Sequence, residues 1–505
     1  MIGRVVTGLA LAAASASAAP VTKAPDPETR AWWALASELS SDAMEGRDTG
    51  SAGYDRAARL VATQFAAAGL KPAGSGGSWF QSVPMHELAI ASARVTAAGK
   101  PLRFLHDFTV QPTPAMPTQL SAPLVYAGYC AAETLGAATG KIVICHGVNR
   151  DGLPSAAERA AAAKAAGAAG IITISDPGFT VEPPRWPFAY ARAVWLAGSP
   201  PAPDVMLRMT LNADALTSLI AGSGQDARAL IATGSAGKPL PRFEVPGALA
   251  ASFTLRERDL ASPNVLAMLP GTDPAMADQA IVLSAHLDGY GPGEPVGGDG
   301  MYNGTLDDAA YVALLVQLAK ARHGQGFRRP ILFAAFTGEE KGLLGSRWFV
   351  QNPTVAKSGI AANINLDQLR PIFPLELLTV HALDDTSLGD DARAVAASMG
   401  VAVQHDPEPA RNLLRRADQW PFLQAGIPAT AFVFGYRPGT PSERTYRQWY
   451  RTGYHRPQDD SKQFIDWKAA RDFNRFFFSL VERVADQAPA PSWKAGSTLR
   501  PTAVR

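Results

Sequence analysis

Cysteine is nearly absent from this 505-residue chain, which has only Cys130 and Cys145. Two cysteines exclude a disulfide framework and leave either one bridge or two buried thiols. Both lie in short apolar runs, LVYAGYC and KIVICHG, that read as neighbouring strands. A strong charge of either sign is also missing. The net charge of +2 gives no footing for a polyanion, so no nucleic-acid partner is expected. After the first twenty residues no apolar run is long enough to cross a bilayer, so no membrane anchor is expected. The Gly-rich stretch Gly291–Gly300 has no Walker lysine and follows His286 closely, so it reads as an active-site loop rather than a phosphate loop. There is no internal repeat.

Residues 1–18 have the pattern of a secretory signal. Arg4 is the charged start, Val5 to Ala14 form a short apolar core, and Ala16-Ser17-Ala18 offers small residues for cleavage. The expected location is therefore periplasmic or secreted. A helix stripe runs from Tyr54 to Leu70, and residues 78–118 alternate loosely as strands do. From about 119 two strands, an alanine-rich helix (Ser155 to Ala169) and a further strand form a βαβ-like block. A loop rich in Pro, Trp and Arg follows, Glu182 to Trp195, in which Arg185-Trp186 is either a substrate contact or plain surface. From about 262 strands alternate with helices, which argues for a largely parallel sheet. The strands are Ala280–Ala285, Ile331–Phe336, Ile360–Leu366, Leu377–Val380 and Ala429–Phe434. The helices include Asp308–Arg322, Leu343–Gln351, Asp391–Met399, Asp418–Ala425 and Trp467–Val484.

Several residues with metal-binding side chains fall where such a sheet places function, beyond the carboxyl ends of its strands. His286 follows AIVLSA, Glu339 and Glu340 follow ILFAAFTG, and Asp367 follows IAANINL. Asp307 opens a helix, and His455 lies on a loop after the last strand. His286, Asp307, Glu340, Asp367 and His455 offer imidazole nitrogen and carboxylate oxygen. Five such ligands exceed what one tetrahedral zinc needs and suit two metals if one carboxylate bridges. Glu339, beside a ligand, suits a general base. Asp288, two residues from His286 on an extended segment, can accept the other imidazole N–H. Asp307-Asp308 also suits a helix N-cap, and Glu339-Glu340 a solvated surface. A calcium site is disfavoured by the two histidines.

HLDGYGPGEPVGGDGMYNGTLDDAA, FTGEEKGLLGS, NINLDQLRP and YHRPQDD resemble successive signature blocks of the M28 family of zinc peptidases, the aminopeptidase Y and glutamate carboxypeptidase group. The block from about 119 to 250 resembles a protease-associated (PA) domain inserted in the peptidase. The resemblance implies an α/β fold: a mixed, largely parallel sheet flanked by helices, with an inserted β-rich α+β PA domain. It implies two Zn2+ per chain, one held by His286 and Asp367, the other by Glu340 and His455, with Asp307 bridging. It makes Glu339 the general base and Asp288 the carboxylate behind the ligands. Asp308 stands where the family usually has Asn, and Ala417-Asp418-Gln419 where Ser-Asp-His is frequent.

The expected organisation is a signal peptide over 1–18, the first part of the peptidase over 19–118, the PA insert over 119–250, the catalytic domain over 251–487 and a tail over 488–505. The expected activity is removal of N-terminal residues from short peptides. The rivals are a carboxypeptidase, dipeptidase or other amidase on the same site, and a non-catalytic binding protein. Arg370, Arg415, Arg416 and Arg437 keep the first rival open, since a substrate carboxylate needs a cationic pocket. Tyr454 and Tyr436 are the candidate oxyanion donors.

Overall fold

The computed structural model describes residues 25–148, 150–177 and 184–501, so the expected signal peptide lies outside the described residues. One sheet carries the peptidase half. Its middle strands, Ile331–Phe336, Ala280–His286, Ile360–Leu366 and Ala429–Phe434, lie in that order and run parallel. Leu377–His381 adds antiparallel to Ala429–Phe434, and Arg242–Leu269 adds antiparallel to Ile331–Phe336. The middle strands are near-continuous apolar runs, as strands buried on both faces must be. Every residue of Ala280–His286 and of Ile331–Phe336 is buried.

Helices cover both faces. Ala310–Arg322 is buried almost all round because it is sandwiched between the sheet and the helices Pro27–Leu39 and Ala52–Ala67. Trp467–Asp486 buries a single stripe that includes Ala469, Phe473, Phe476, Phe477, Leu480 and Val484, the 3–4 spacing of an amphipathic helix. Asp466 caps its start by accepting the Ala469 N–H at 3.0 Å.

A second apolar core collects residues from Ile90 to Phe253. Here Gln119–Ala127, Ile142–Gly147, Gly170–Ser175 and Leu207–Asn212 are parallel neighbours. Two long antiparallel strands, Phe80–Ala97 and Arg242–Leu269, join this unit to the peptidase sheet. The second of them runs unbroken through position 250. Cys130 and Cys145 are bonded to each other, which decides between the two readings of the cysteines.

The Gly-rich segment forms a hairpin, Gly291–Val296 with Asp299–Tyr302, that clamps the loop of the second unit. Glu294 N–H donates to the Trp186 carbonyl at 3.1 Å, and the Tyr302 hydroxyl donates to the Arg185 carbonyl at 2.9 Å. Gly293 is required at this contact, because a Cβ there would meet the Pro187 Cα at 2.3 Å.

Candidate metal centre

Three strand ends and two loops deliver the expected ligands to one spot. His286 ends its strand, Asp367 follows Ile360–Leu366 directly, and Glu339 and Glu340 follow the strand Ile331–Phe336. Asp307 sits in the wide turn Thr305–Ala309, ahead of the regular helix that begins at Ala310. That start lies two residues beyond the expected Asp308. Asp307 and Asp308 have non-helical dihedrals, with a cis peptide between them, and neither caps the helix. Their side chains point into the site instead. Asp308 Oδ2 accepts the His286 backbone N–H at 3.2 Å.

The two oxygens of Asp307 face different histidines. Oδ1 lies 3.2 Å from His286 Nε2, and Oδ2 lies 3.5 Å from His455 Nε2. Asp367 Oδ1 approaches His286 Nε2 at 3.9 Å, and Glu340 Oε2 approaches His455 Nε2 at 3.9 Å. The donor atoms of His286, Asp307 and Asp367 lie within 4.8 Å of one another, and so do those of Asp307, Glu340 and His455. A third such group is His286, Glu339 and Glu340.

Asp288 sits behind the ligands in a different way from that expected. The acceptor for His286 Nδ1 is its main-chain carbonyl, at 3.1 Å, while its carboxylate stays 3.7 Å away. The carboxylate is drawn off by the backbone N–H groups of Glu339 (3.1 Å) and Glu340 (3.3 Å) and by the Thr49 hydroxyl (3.0 Å). It therefore shapes the loop that carries the two glutamates, and the carbonyl fixes the imidazole.

Sequence reasoning missed three further parts of the site. Asp459 accepts the backbone N–H groups of Leu306 (2.9 Å) and Asp307 (3.0 Å), holding the turn that aims Asp307. It belongs to the YHRPQDD block, where only His455 draws notice. Arg47, fully buried, donates to the carbonyls of Leu39, Leu287, Asn303 and Gly304, tying the N-terminal region to both ligand loops. Tyr290 donates its hydroxyl to Glu340 Oε2 at 2.5 Å, and its ring lies 5.4 Å from that of Tyr190. Tyr190 comes from the loop of the second unit, so it is Tyr190 that reaches the site. Arg185 pairs with Asp214 at 3.0 Å, and Trp186 is buried.

A cavity of about 330 Å3 opens over the cluster, bordered by Asp307, Glu339, Glu340, Asp367, Tyr454 and His455. Tyr454 stacks on His455 with ring centroids 3.6 Å apart. Tyr436 does not border the cavity; its ring packs on Tyr446. Among the four arginines, Arg370 is buried against the rings of Tyr446, Trp449 and Tyr450, Arg415 and Arg416 border the cavity, and Arg437 does not.

The electrostatics of this cluster call for cations. Burial pushes Asp367 up to about 6 and Glu340 up to about 7, with the neighbouring carboxylates adding to the rise. Burial likewise holds Glu339 and Asp308 well above the usual carboxylate range. Asp307 is the exception. Burial opposes its ionisation, but the contacts to His286 and His455 overcome it and hold the carboxyl below the usual range. Asp367 Oδ1 is buried with no hydrogen-bond donor among the described residues. Crowded carboxylates that raise one another's pKa, with an undonated oxygen beside imidazole nitrogen, fit a divalent metal of zinc character.

Residues 264–481 match the family model of Peptidase family M28, and residues 120–197 match that of the PA domain. Leupeptin-inactivating enzyme 1 of Streptomyces exfoliatus is 26% identical over 289 residues, 56% of this chain and 59% of that protein. A probable zinc metalloprotease of Pyrenophora teres f. teres is 30% identical over 179 residues, 34% of this chain and 38% of that protein. The chain thus spans between 38% and 59% of these relatives' length. The fold is similar to that of BSAP, a zinc aminopeptidase from Bacillus subtilis, with a TM-score of 0.62 at 19% identity over 93% of this chain and 98% of that one. The M28 match begins on the strand Arg242–Leu269 and takes in every residue of the cluster, and on that ground residues 264–481 are identified as an M28 peptidase region and residues 120–197 as a PA domain.

Proposed function

We propose that this protein is a zinc metallopeptidase that holds two zinc ions and removes N-terminal residues from short peptides. The observation that carries the reading is the carboxylate of Asp307, turned with one oxygen towards His286 and the other towards His455. His286 and Asp367 would hold one ion, Glu340 and His455 the other, and Asp307 would serve both. Zinc held there supplies Lewis-acid polarisation of a carbonyl and a lowered pKa for water.

The chain's own residues supply the rest. Glu339 is 9% exposed at the cavity floor, and its backbone is pinned by Asp288. It is placed to take a proton from the attacking water and to pass it to the leaving amine as the C–N bond breaks. Tyr454 borders the cavity and offers a hydroxyl to the developing oxyanion. Tyr190 narrows the entrance from the PA side, which favours short peptides over folded chains. The signal-like residues 1–18 support an exported protein, periplasmic or secreted.

A panel of aminoacyl-nitroanilides, amino-blocked dipeptides and carboxyl-blocked dipeptides, run with and without chelator, tests the reading. Cleavage of amino-free substrates alone, abolished by chelator and restored by zinc, is the expected result. Cleavage confined to amino-blocked peptides would replace it with a carboxypeptidase, and metal-free purified protein would revive a binding role.

Metal affinity should also depend on pH in a defined direction. Ions must displace protons from Glu340 and Asp367, which lie at about 7 and about 6 before metal enters. The deprotonated forms bind, so affinity is expected to fall as pH drops through 7 and then 6. Between pH 7.5 and 5.5 the loss should reach about 25-fold for the ion on Glu340 and about fourfold for the ion on Asp367. Competition of the apo-protein with a zinc indicator dye across this range measures it.

A further inference from the structure

The cavity has a wall that the proposed chemistry leaves unused. Arg347, from the helix Leu344–Gln351, and Arg415 and Arg416, from the turn beginning at Leu413, all border it. Among the described residues Arg347 and Arg415 pair with no carboxylate, and Arg415 instead lies over the Trp420 ring at 4.9 Å from its centroid. A guanidinium resting on an indole is held in place while its N–H edge stays available. Arg370 also borders the cavity but is committed, because its guanidinium is buried among three aromatic rings.

Charge counting gives this wall its meaning. Two divalent ions cancel the charges of Asp307, Glu339, Glu340 and Asp367, so a loaded site is close to neutral at its reactive end. The arginines then leave the cavity cationic, a field that concentrates and orients an anionic group. A second cavity of about 760 Å3 runs beneath the PA domain and shares Tyr190, Tyr290 and Glu340 with the first. The leaving peptide can pass into that larger space, which assigns the arginine-lined space to the residue being removed.

We propose that the preferred substrate carries an acidic first residue, Asp or Glu, whose side-chain carboxylate is held by Arg415 and Arg416, with Arg347 adding to the field. The inference rests on the aminopeptidase reading and deepens it. It commits the carboxylate to a side chain rather than to the C-terminus of the substrate.

The test compares Glu-nitroanilide with its neutral isostere Gln-nitroanilide, and with Leu-nitroanilide, on zinc-loaded full-length protein. Acetyl-Glu peptides with a free C-terminus form the other arm. The wild-type kcat/KM for Glu is expected to exceed that for Gln by about tenfold. The ratio should shrink with added salt and fall towards one in an R415Q/R416Q double variant, while R415K/R416K keeps most of it. Free glutamate should raise the melting temperature of the wild type more than glutamine does, and that difference should vanish in the Gln double variant. Wild-type protein that cleaves Gln or Leu substrates as well as Glu overturns the acidic preference and leaves the aminopeptidase reading intact. Cleavage of the acetylated peptides alone overturns both.

Discussion

Asp307→Ala is expected to strip both zinc ions from the protein and to lower kcat/KM by at least about a thousandfold. In the proposed centre every other ligand serves one ion, so the loss of Glu340 or His455 leaves the opposite pair partly served. Asp307 lies close to both histidines, at 3.2 Å and 3.5 Å, with a different oxygen towards each. It is also the carboxyl in the cluster that its histidine contacts hold below the usual range, so it brings negative charge without first shedding a proton. Removing it leaves two imidazoles with no shared anion between them. Metal analysis after dialysis should return well under one zinc per chain, against two for the wild type. A variant that keeps one full equivalent would show that Asp307 serves a single ion. Asp307→Asn separates charge from shape. It keeps an oxygen in place and loses the negative charge, and is expected to hold metal weakly rather than not at all.

Glu339→Gln is expected to do the opposite, keeping both ions and losing turnover by roughly 100- to 10,000-fold, the range for a positioned general base. Gln has nearly the same volume, and the backbone N–H that anchors this residue to Asp288 is untouched, so the loop should keep its shape. The readouts are kcat with saturating substrate and zinc content on the same sample. The variant also settles an ambiguity in the geometry, since donor atoms of Glu339 lie within 4.8 Å of those of His286 and Glu340. If Glu339 were a ligand, an equivalent of zinc would leave with it. Near-normal turnover in the variant would remove Glu339 from the chemistry.

How much of this was legible in the chain follows from how local each signal is. Ile331–Phe336, Ile360–Leu366 and Ala429–Phe434 appear with the expected bounds, because a short uninterrupted apolar run leaves a doubly covered strand few alternatives. The residues that follow these strands stood out for the same reason. The long strand Arg242–Leu269 was not legible. Much of it is exposed, the alternation at Leu249, Ala251, Phe253 and Leu255 is interrupted by Pro246-Gly247 before it and by the charged residues 256–259 after it, and its order comes from pairing with Phe80–Ala97 far away in sequence. The helix Pro441–Thr452 was overlooked in a polar stretch. Its cue was present, since Thr440 is followed three residues later by Glu443, whose N–H it caps at 3.3 Å.

The supports of the site were hidden most completely. Arg47 meets the Leu287 carbonyl 240 residues away, and Asp459 meets the Asp307 amide 152 residues away. Neither residue has a local pattern that separates it from an ordinary surface charge. The expected role of Asp288 missed in a similar way. Spacing along an extended segment brought its carboxylate near the imidazole, but two amides from another loop hold it more firmly.

The most direct measurement is a crystal structure of the zinc-loaded protein with anomalous data collected at the zinc edge. Two peaks roughly 3.5–4 Å apart, one on each side of the Asp307 carboxylate, are the expected result. A single peak, or peaks that Asp307 does not join, would contradict the shared-carboxylate centre on which the proposed function rests.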